Sequence, residues 1–146
     1  MEAMLVRPEI GLYSRTKQVL YIDDDPAVAI VTQYSLELFA GWYAATTDAR
    51  YALDVATSGP WDLILLETGR GDGAGQTLYQ QLRADPRTRS IPIILLTSRL
   101  MPSDYQRYSQ MAIAGVIPKP FNPVTLGTHI AALMDWSLPS PVQTLN

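Results

Sequence analysis

The run Asp62-Leu63-Ile64-Leu65-Leu66-Glu67 constrains this chain more than any other stretch. Its interior is apolar without interruption. The turn signal Gly59-Pro60 precedes it, and a loop with glycines at 69, 71, 73 and 75 follows it. A strand that is apolar on both faces has to be covered on both faces, as in a parallel sheet between two layers of helices. The run ends in a carboxylate. In open α/β sheets the carboxyl ends of the strands carry the ligand site. A charge placed there is either a ligand for something or a cost in stability.

The rest of the chain repeats this unit. Gln18–Ile22 reads as a first strand, closed by Asp23-Asp24-Asp25-Pro26. Asp25 suits a helix cap, with Pro26 at the first helical position. Ala27, Val31, Tyr34 and Leu38 fall at helical spacing and predict the buried stripe of that helix. Gly41 ends it. Trp42–Thr46 predicts a second strand. Asp48 then caps a helix through Ala56, with Ala49, Ala52, Leu53 and Ala56 inward. After the central strand, 62–66, a helix from about Gln76 to Ala84 buries Leu78 and Leu82 and breaks at Asp85-Pro86. Ile91–Thr97 is a fourth strand. Ser103 or Asp104 caps a fourth helix with Tyr105, Tyr108 and Met111 at helical spacing. Gly115–Pro118 is a short fifth strand, placed at an edge because Pro118 cannot donate to a ladder. Asn122-Pro123 starts the last helix, with Leu126, Ile130 and Leu133 inward. Five βα units in succession predict a doubly wound, flavodoxin-like (βα)5 three-layer sandwich with parallel strand order 2-1-3-4-5. The expected domain is 17–136, with an N-terminal extension at 1–16 and a C-terminal tail at 137–146.

Composition removes several function classes. There are no cysteines and one histidine, which excludes disulfides and thiolate metal sites and argues against a His-based triad or zinc site. His129 is given no role. The net charge of -3 and the absence of a Lys/Arg run argue against direct nucleic-acid binding. No apolar run is long enough to span a bilayer, and the first residues do not read as a signal peptide, so a cytoplasmic protein is expected. No GxxxxGK[ST] loop is present.

The predicted topology sets strands one and three side by side, so Asp23, Asp24 and Glu67 converge at the switch point. Carboxylates gathered there repel one another, and a hard cation such as Mg²⁺ supplies the missing charge. Opposite them, Thr97 offers a hydroxyl and Lys119 a point positive charge.

These residues resemble the receiver domain of two-component response regulators, over about residues 17–136. Four features carry the likeness: the strand ending in Asp23-Asp24; the strand ending at Glu67; Ile91-Pro92-Ile93-Ile94-Leu95-Leu96-Thr97-Ser98; and Lys119-Pro120-Phe121. The resemblance implies that Asp23, Asp24, the acid at 67 and the Gly69 backbone carbonyl form a Mg²⁺ site. It implies that residue 67 takes a phosphoryl group from a histidine kinase, and that Thr97 and Lys119 contact the phosphoryl oxygens. It further implies a cis Lys119-Pro120 bond. A homodimer through the helix 4–strand 5–helix 5 face is also expected on this likeness.

The departures shape the functional expectation. The family's phosphoacceptor is Asp, and this chain has Glu67. The extra methylene moves the carboxylate by about 1.5 Å, a displacement that in-line transfer tolerates poorly. The longer arm reaches toward Lys119 and Thr97. Glu67 therefore either mimics phosphorylation or pairs with Lys119 and holds one state. Val116 stands where the family carries a switch aromatic. Gly71 replaces a proline, while Gly75 matches the family's glycine, and Pro118 precedes the lysine. The expected function is an atypical receiver, or pseudo-receiver, acting by protein–protein contact with a histidine kinase or other signalling protein. It is not expected to be an enzyme beyond self-phosphorylation. The alternative is a working Mg²⁺-dependent phosphoacceptor modified by a histidine kinase. A small enzyme or flavin binder is disfavoured, because an acidic pocket repels a flavin phosphate and no nucleophile–base pair is visible.

Overall fold

The computed structural model describes residues 15–68 and 73–138. The expectations for the extension before residue 15, the tail from 139 and the Gly69 carbonyl lie outside the described residues. The strands are β1 (Gln18–Ile22), β2 (Tyr43–Thr47), β3 (Leu63–Glu67), β4 (Ile93–Thr97) and β5 (Gly115–Pro118). They form one parallel sheet in the order β2-β1-β3-β4-β5. The helices are α1 (Pro26–Ser35), continued by a π-helical turn at Leu36–Ala40, α2 (Ala52–Ser58), α3 (Ala74–Ala84), α4 (Pro102–Tyr108) and α5 (Leu126–Met134). This is the flavodoxin-like sandwich that the sequence predicts.

Period-two alternation divides the sheet between two cores. Val19, Tyr21, Leu63, Leu65, Ile94, Leu96 and Ile117 face one side, against Leu36, Ala40, Leu126 and Ile130 of the α1 and α5 layer. Leu20, Ile22, Ile64, Leu66, Ile93 and Leu95 face the other, against Ala52, Ala56, Leu78, Leu82 and Tyr108. All of these side chains are buried. Unbroken apolar strands are what two covered faces require.

The stripe expected to bury α1 points the other way. Val31, Tyr34 and Leu38 are exposed, and so is Ala27. The inward set is Ala29, Thr32, Ser35, Leu36 and Ala40. The reason is close approach. The α1 layer lies so near α5 that a Cβ added at Gly127 would come within 2.7 Å of the Ala40 Cβ. At Ala40 only a small residue fits at that distance. The small polar ones find acceptors locally: Thr32 Oγ1 donates to the Val28 carbonyl at 2.7 Å, and Ser35 Oγ donates to the Pro123 carbonyl. Gly127→Ala is therefore expected to destabilise the protein by about 1–3 kcal/mol through overpacking, read as a lower urea midpoint.

Other boundaries differ locally. Strand β2 is one residue later than expected, and β4 starts at Ile93. Ala49 is exposed, because Asp48 caps a turn ahead of α2 by accepting from the Arg50 and Tyr51 N–H groups at 2.9 and 3.3 Å. The cap position of α4 is Met101. Asp104 lies inside the helix and accepts the Met101 N–H at 3.0 Å. Asn122 makes a side-chain turn with the Val124 N–H at 2.9 Å, which delays α5 to Leu126.

Candidate functional site

The carboxyl ends of β1, β3 and β5 meet above the sheet, and alternation decides which side chains share a side. Asp23 continues the parity of Tyr21, Glu67 that of Leu65, and Lys119 that of Ile117. All three therefore project toward the α1–α5 side. Lys119 Nζ lies 3.5 Å from Glu67 Oε2 and 3.6 Å from Asp23 Oδ2. The two carboxylate side chains are 6% and 4% exposed, and the lysine 20%. One ammonium thus serves two buried carboxylates. At these distances the contact is mainly a charge interaction.

Asp23 has further donors. The Tyr21 hydroxyl donates to Oδ2, and the Asp25 N–H donates to Oδ1 at 2.9 Å. Burial pushes the Tyr21 hydroxyl pKa far up, and the hydrogen bond to Asp23 and the charges of Asp23 and Glu67 add to it. Tyr21 therefore remains a proton donor throughout the physiological range. Sequence reasoning passed over this residue. The signal was its position two before Asp23 on a strand, which puts both on one face. Asp25 caps α1 as expected, accepting from the Ala27 and Val28 N–H groups.

Asp24 takes the opposite parity and accepts the Ala49 N–H at 2.9 Å. Asp23, Asp24 and Glu67 line one cleft with Ala49, Ala74, Gly75 and Leu78, as the topology predicts. The cleft holds about 20 Å³, room for about one water. Thr97 is fully buried on the parity of Leu95, and its Oγ1 accepts the Arg99 N–H at 3.0 Å. The structure thus brings Glu67 to Lys119, while the Thr97 hydroxyl engages the chain beyond β4. Val116, at the switch position, is half-buried against the α2–α4 side. The Lys119-Pro120 bond is cis, as expected.

Behind Thr97, a buried carboxylate organises a second group of charges. Asp104 Oδ1 lies 3.1 Å from Arg107 Nη2 and 3.6 Å from Arg99 Nη2. This ties the start of α4 to the segment after β4.

The oxygen donors at the cleft suit a hard divalent cation in type. Among the described residues no group of three or more carboxylate or histidine side chains is placed to hold a metal ion. Both Asp23 oxygens already accept protein donors, and Lys119 lies between Asp23 and Glu67.

The fold and this row of end-of-strand residues define a signalling module, and the comparisons agree. The response regulator receiver domain family matches residues 19–131. The chain belongs to that family and is a receiver domain of the two-component type. The phosphate regulon transcriptional regulatory protein PhoB of Escherichia coli K12 is 28% identical over 128 residues, covering 87% of this chain and 56% of PhoB. The sensor histidine kinase GacS of Pseudomonas protegens is 27% identical over 118 residues, covering 79% of this chain and 13% of the kinase. The chain spans about half the length of PhoB, or less in the case of the kinase. Among solved structures, the chemotaxis protein CheY4 of Vibrio cholerae superposes with a TM-score of 0.72 at 25% identity, covering 81% of this chain and 98% of CheY4. Among the described residues no helix is long and apolar enough to cross a membrane.

Proposed function

We propose that this receiver signals without phosphotransfer to residue 67. Glu67 and Lys119 close the pocket on each other and hold one state, which a partner protein reads by direct contact. The observation that carries this reading is the position of Lys119 Nζ, within 3.6 Å of both Glu67 and Asp23. The ammonium neutralises carboxylates that a bound cation would otherwise neutralise. The longer Glu67 side chain supplies negative charge to the lysine without any phosphoryl group. Val116 offers no aromatic ring to swing.

The fitting partners are a histidine kinase or another signalling protein, and the likeness to a segment of GacS supports the first. Mg²⁺ would bind weakly, because it would have to displace Lys119 and free the oxygens of Asp23. The second reading, a Mg²⁺-dependent phosphoacceptor, rests on the retained Asp23, Asp24, Thr97 and Lys119.

Titration of ¹⁵N-labelled protein with Mg²⁺, followed by beryllofluoride as a phosphoryl mimic, tests the closed pocket. The amides of Glu67, Thr97 and Lys119 are expected to show no saturable shift at millimolar Mg²⁺. Saturable shifts that spread to α4 when beryllofluoride is added would establish the second reading.

A further inference from the structure

A second cavity, of about 250 Å³, opens between α3 and α4. Thr68, Gly75 and Gln76 line it from the β3–α3 side, and Arg99, Arg107 and Tyr108 from the β4–α4 side. Among its described lining residues the charged ones are both arginines. The acidic cleft shares Gly75 with it and no other described residue. Tyr108 packs in the core on the α2–α4 side, whereas Glu67 and Lys119 project toward the α1–α5 side.

The two arginines are held in place. Each guanidinium meets Asp104 Oδ1 through one Nη2, at 3.1 Å from Arg107 and 3.6 Å from Arg99. Two cations share one buried carboxylate, so the group carries a surplus positive charge. Each arginine keeps N–H donors beyond the one aimed at Asp104. The backbone of Arg99 is fixed at both ends. Its N–H donates to Thr97 Oγ1 at 3.0 Å, and its carbonyl accepts from the Tyr108 hydroxyl at 3.2 Å. Side chains ordered in advance lose less entropy when a ligand arrives. Across the cavity, α3 starts at Gly73 without a side-chain cap, and a helix start carries partial positive charge. Gly75 lets that first turn lie against Thr68, where an added Cβ would come within 2.8 Å of the Thr68 Cγ2. The Thr68 hydroxyl is buried and has no hydrogen-bond partner among the described residues. Donors from three segments thus face one space.

We propose that this cavity binds the phosphate group of a small phosphorylated metabolite. The planar guanidinium fork matches phosphate oxygens, and the start of α3 faces the same group with backbone N–H donors. The volume is just under the ~300–1,000 Å³ of sites for drug-sized ligands. A sugar or polyol phosphate fits that space, and a dinucleotide or a peptide segment does not. A bound phosphate draws the guanidiniums between itself and Asp104 and ties α3 to α4. Through the Arg99 backbone the tie extends to Thr97. The receiver thereby gains an input that needs no phosphoryl transfer. This site goes beyond the reading that residue 67 takes no phosphoryl group, and it stands whether or not that reading does.

Titration of the ¹⁵N-labelled full chain with glycerol 3-phosphate, without Mg²⁺ and at constant ionic strength, tests this. Saturable shifts at millimolar ligand are expected at the amides of Thr68, Gly75, Gln76, Arg99 and Arg107. Arg107→Gln should weaken binding about tenfold or more. Gln76→Glu should do the same by placing an anion in the cavity, and it should keep the melting temperature, because an acid suits the first turn of a helix. Arg87→Gln, which removes an exposed arginine outside the cavity, should leave the affinity unchanged. No saturable shift up to tens of millimolar overturns the proposal. So do shifts that chloride reproduces, shifts centred on Asp23, Asp24 and Lys119, or binding that survives both Arg107→Gln and Gln76→Glu. Equal affinity for succinate would overturn the choice of phosphate, and tighter binding of a phosphoserine peptide would overturn the choice of a metabolite.

Discussion

Replacing Lys119 by methionine is expected to destabilise the fold by about 2–3 kcal/mol, measured as a fall in the urea midpoint at constant slope. Methionine keeps the length and the apolar stem, so packing against Pro120 and Phe121 is retained. What is lost is the charge. Glu67 and Asp23 are 6% and 4% exposed, and Lys119 lies within 3.6 Å of both. Removing it takes away a positive charge that lies within 3.6 Å of both buried carboxylates. Breaking a buried pair costs about 3–5 kcal/mol. The expected loss is smaller, because the lysine is 20% exposed and Asp23 keeps its bonds from Tyr21 and Asp25. Lys119→Arg, which retains the charge, should lose markedly less. A change below about 0.5 kcal/mol in Lys119→Met, the level of an ordinary surface substitution, would show that the lysine is only solvated.

Shortening the acid should have the opposite kind of effect, a gain of reactivity. Glu67→Asp withdraws the carboxylate by about 1.5 Å, and a misplacement of 1 Å can change a rate by about a hundredfold. The retracted carboxylate no longer reaches Lys119, and the ammonium stays with Asp23. The cleft widens on the side where Asp24 and Gly75 line it. With acetyl phosphate and Mg²⁺, the variant is expected to accept a phosphoryl group at least about a hundredfold faster than the unaltered chain. The stability change should be small, since only one of the two charge contacts of Lys119 is lost. A folded Glu67→Asp protein that stays unmodified would move the cause away from the methylene and toward Val116 or the glycine-rich loop.

The sequence made the sheet easy to read, because strands apolar on both faces allow few alternatives. The end residues followed from topology: once strands one and three are neighbours, Asp23 and Glu67 must approach each other. Lys119 was legible as a partner of Glu67, and parity explains why it wins over Thr97. Glu67 and Lys119 continue the α1–α5 side, whereas Thr97 continues the side of Leu95. Tyr21 went unread because an apolar run containing a tyrosine looks like core alone. The α1 stripe was read inverted. Two helical stripes compete there, one of large apolar residues and one of small residues. Hydrophobicity favours the first, and the close α1–α5 contact at Ala40 and Gly127 requires the second. No periodicity rule contains that distance. The pairing of Arg99 and Arg107 with Asp104 was hidden for a similar reason, since Asp104 read as a helix cap and its burial depends on how α4 packs.

The claim that Glu67 has replaced phosphorylation is tested most directly by intact-mass spectrometry of the unaltered chain after incubation with acetyl phosphate and Mg²⁺, beside Glu67→Asp as the positive control. The expected result is an unchanged mass for the unaltered chain and one added phosphoryl group on the variant. Stoichiometric addition to the unaltered chain, mapped to Glu67, would contradict the account and make this receiver a conventional switch with an unusual acceptor.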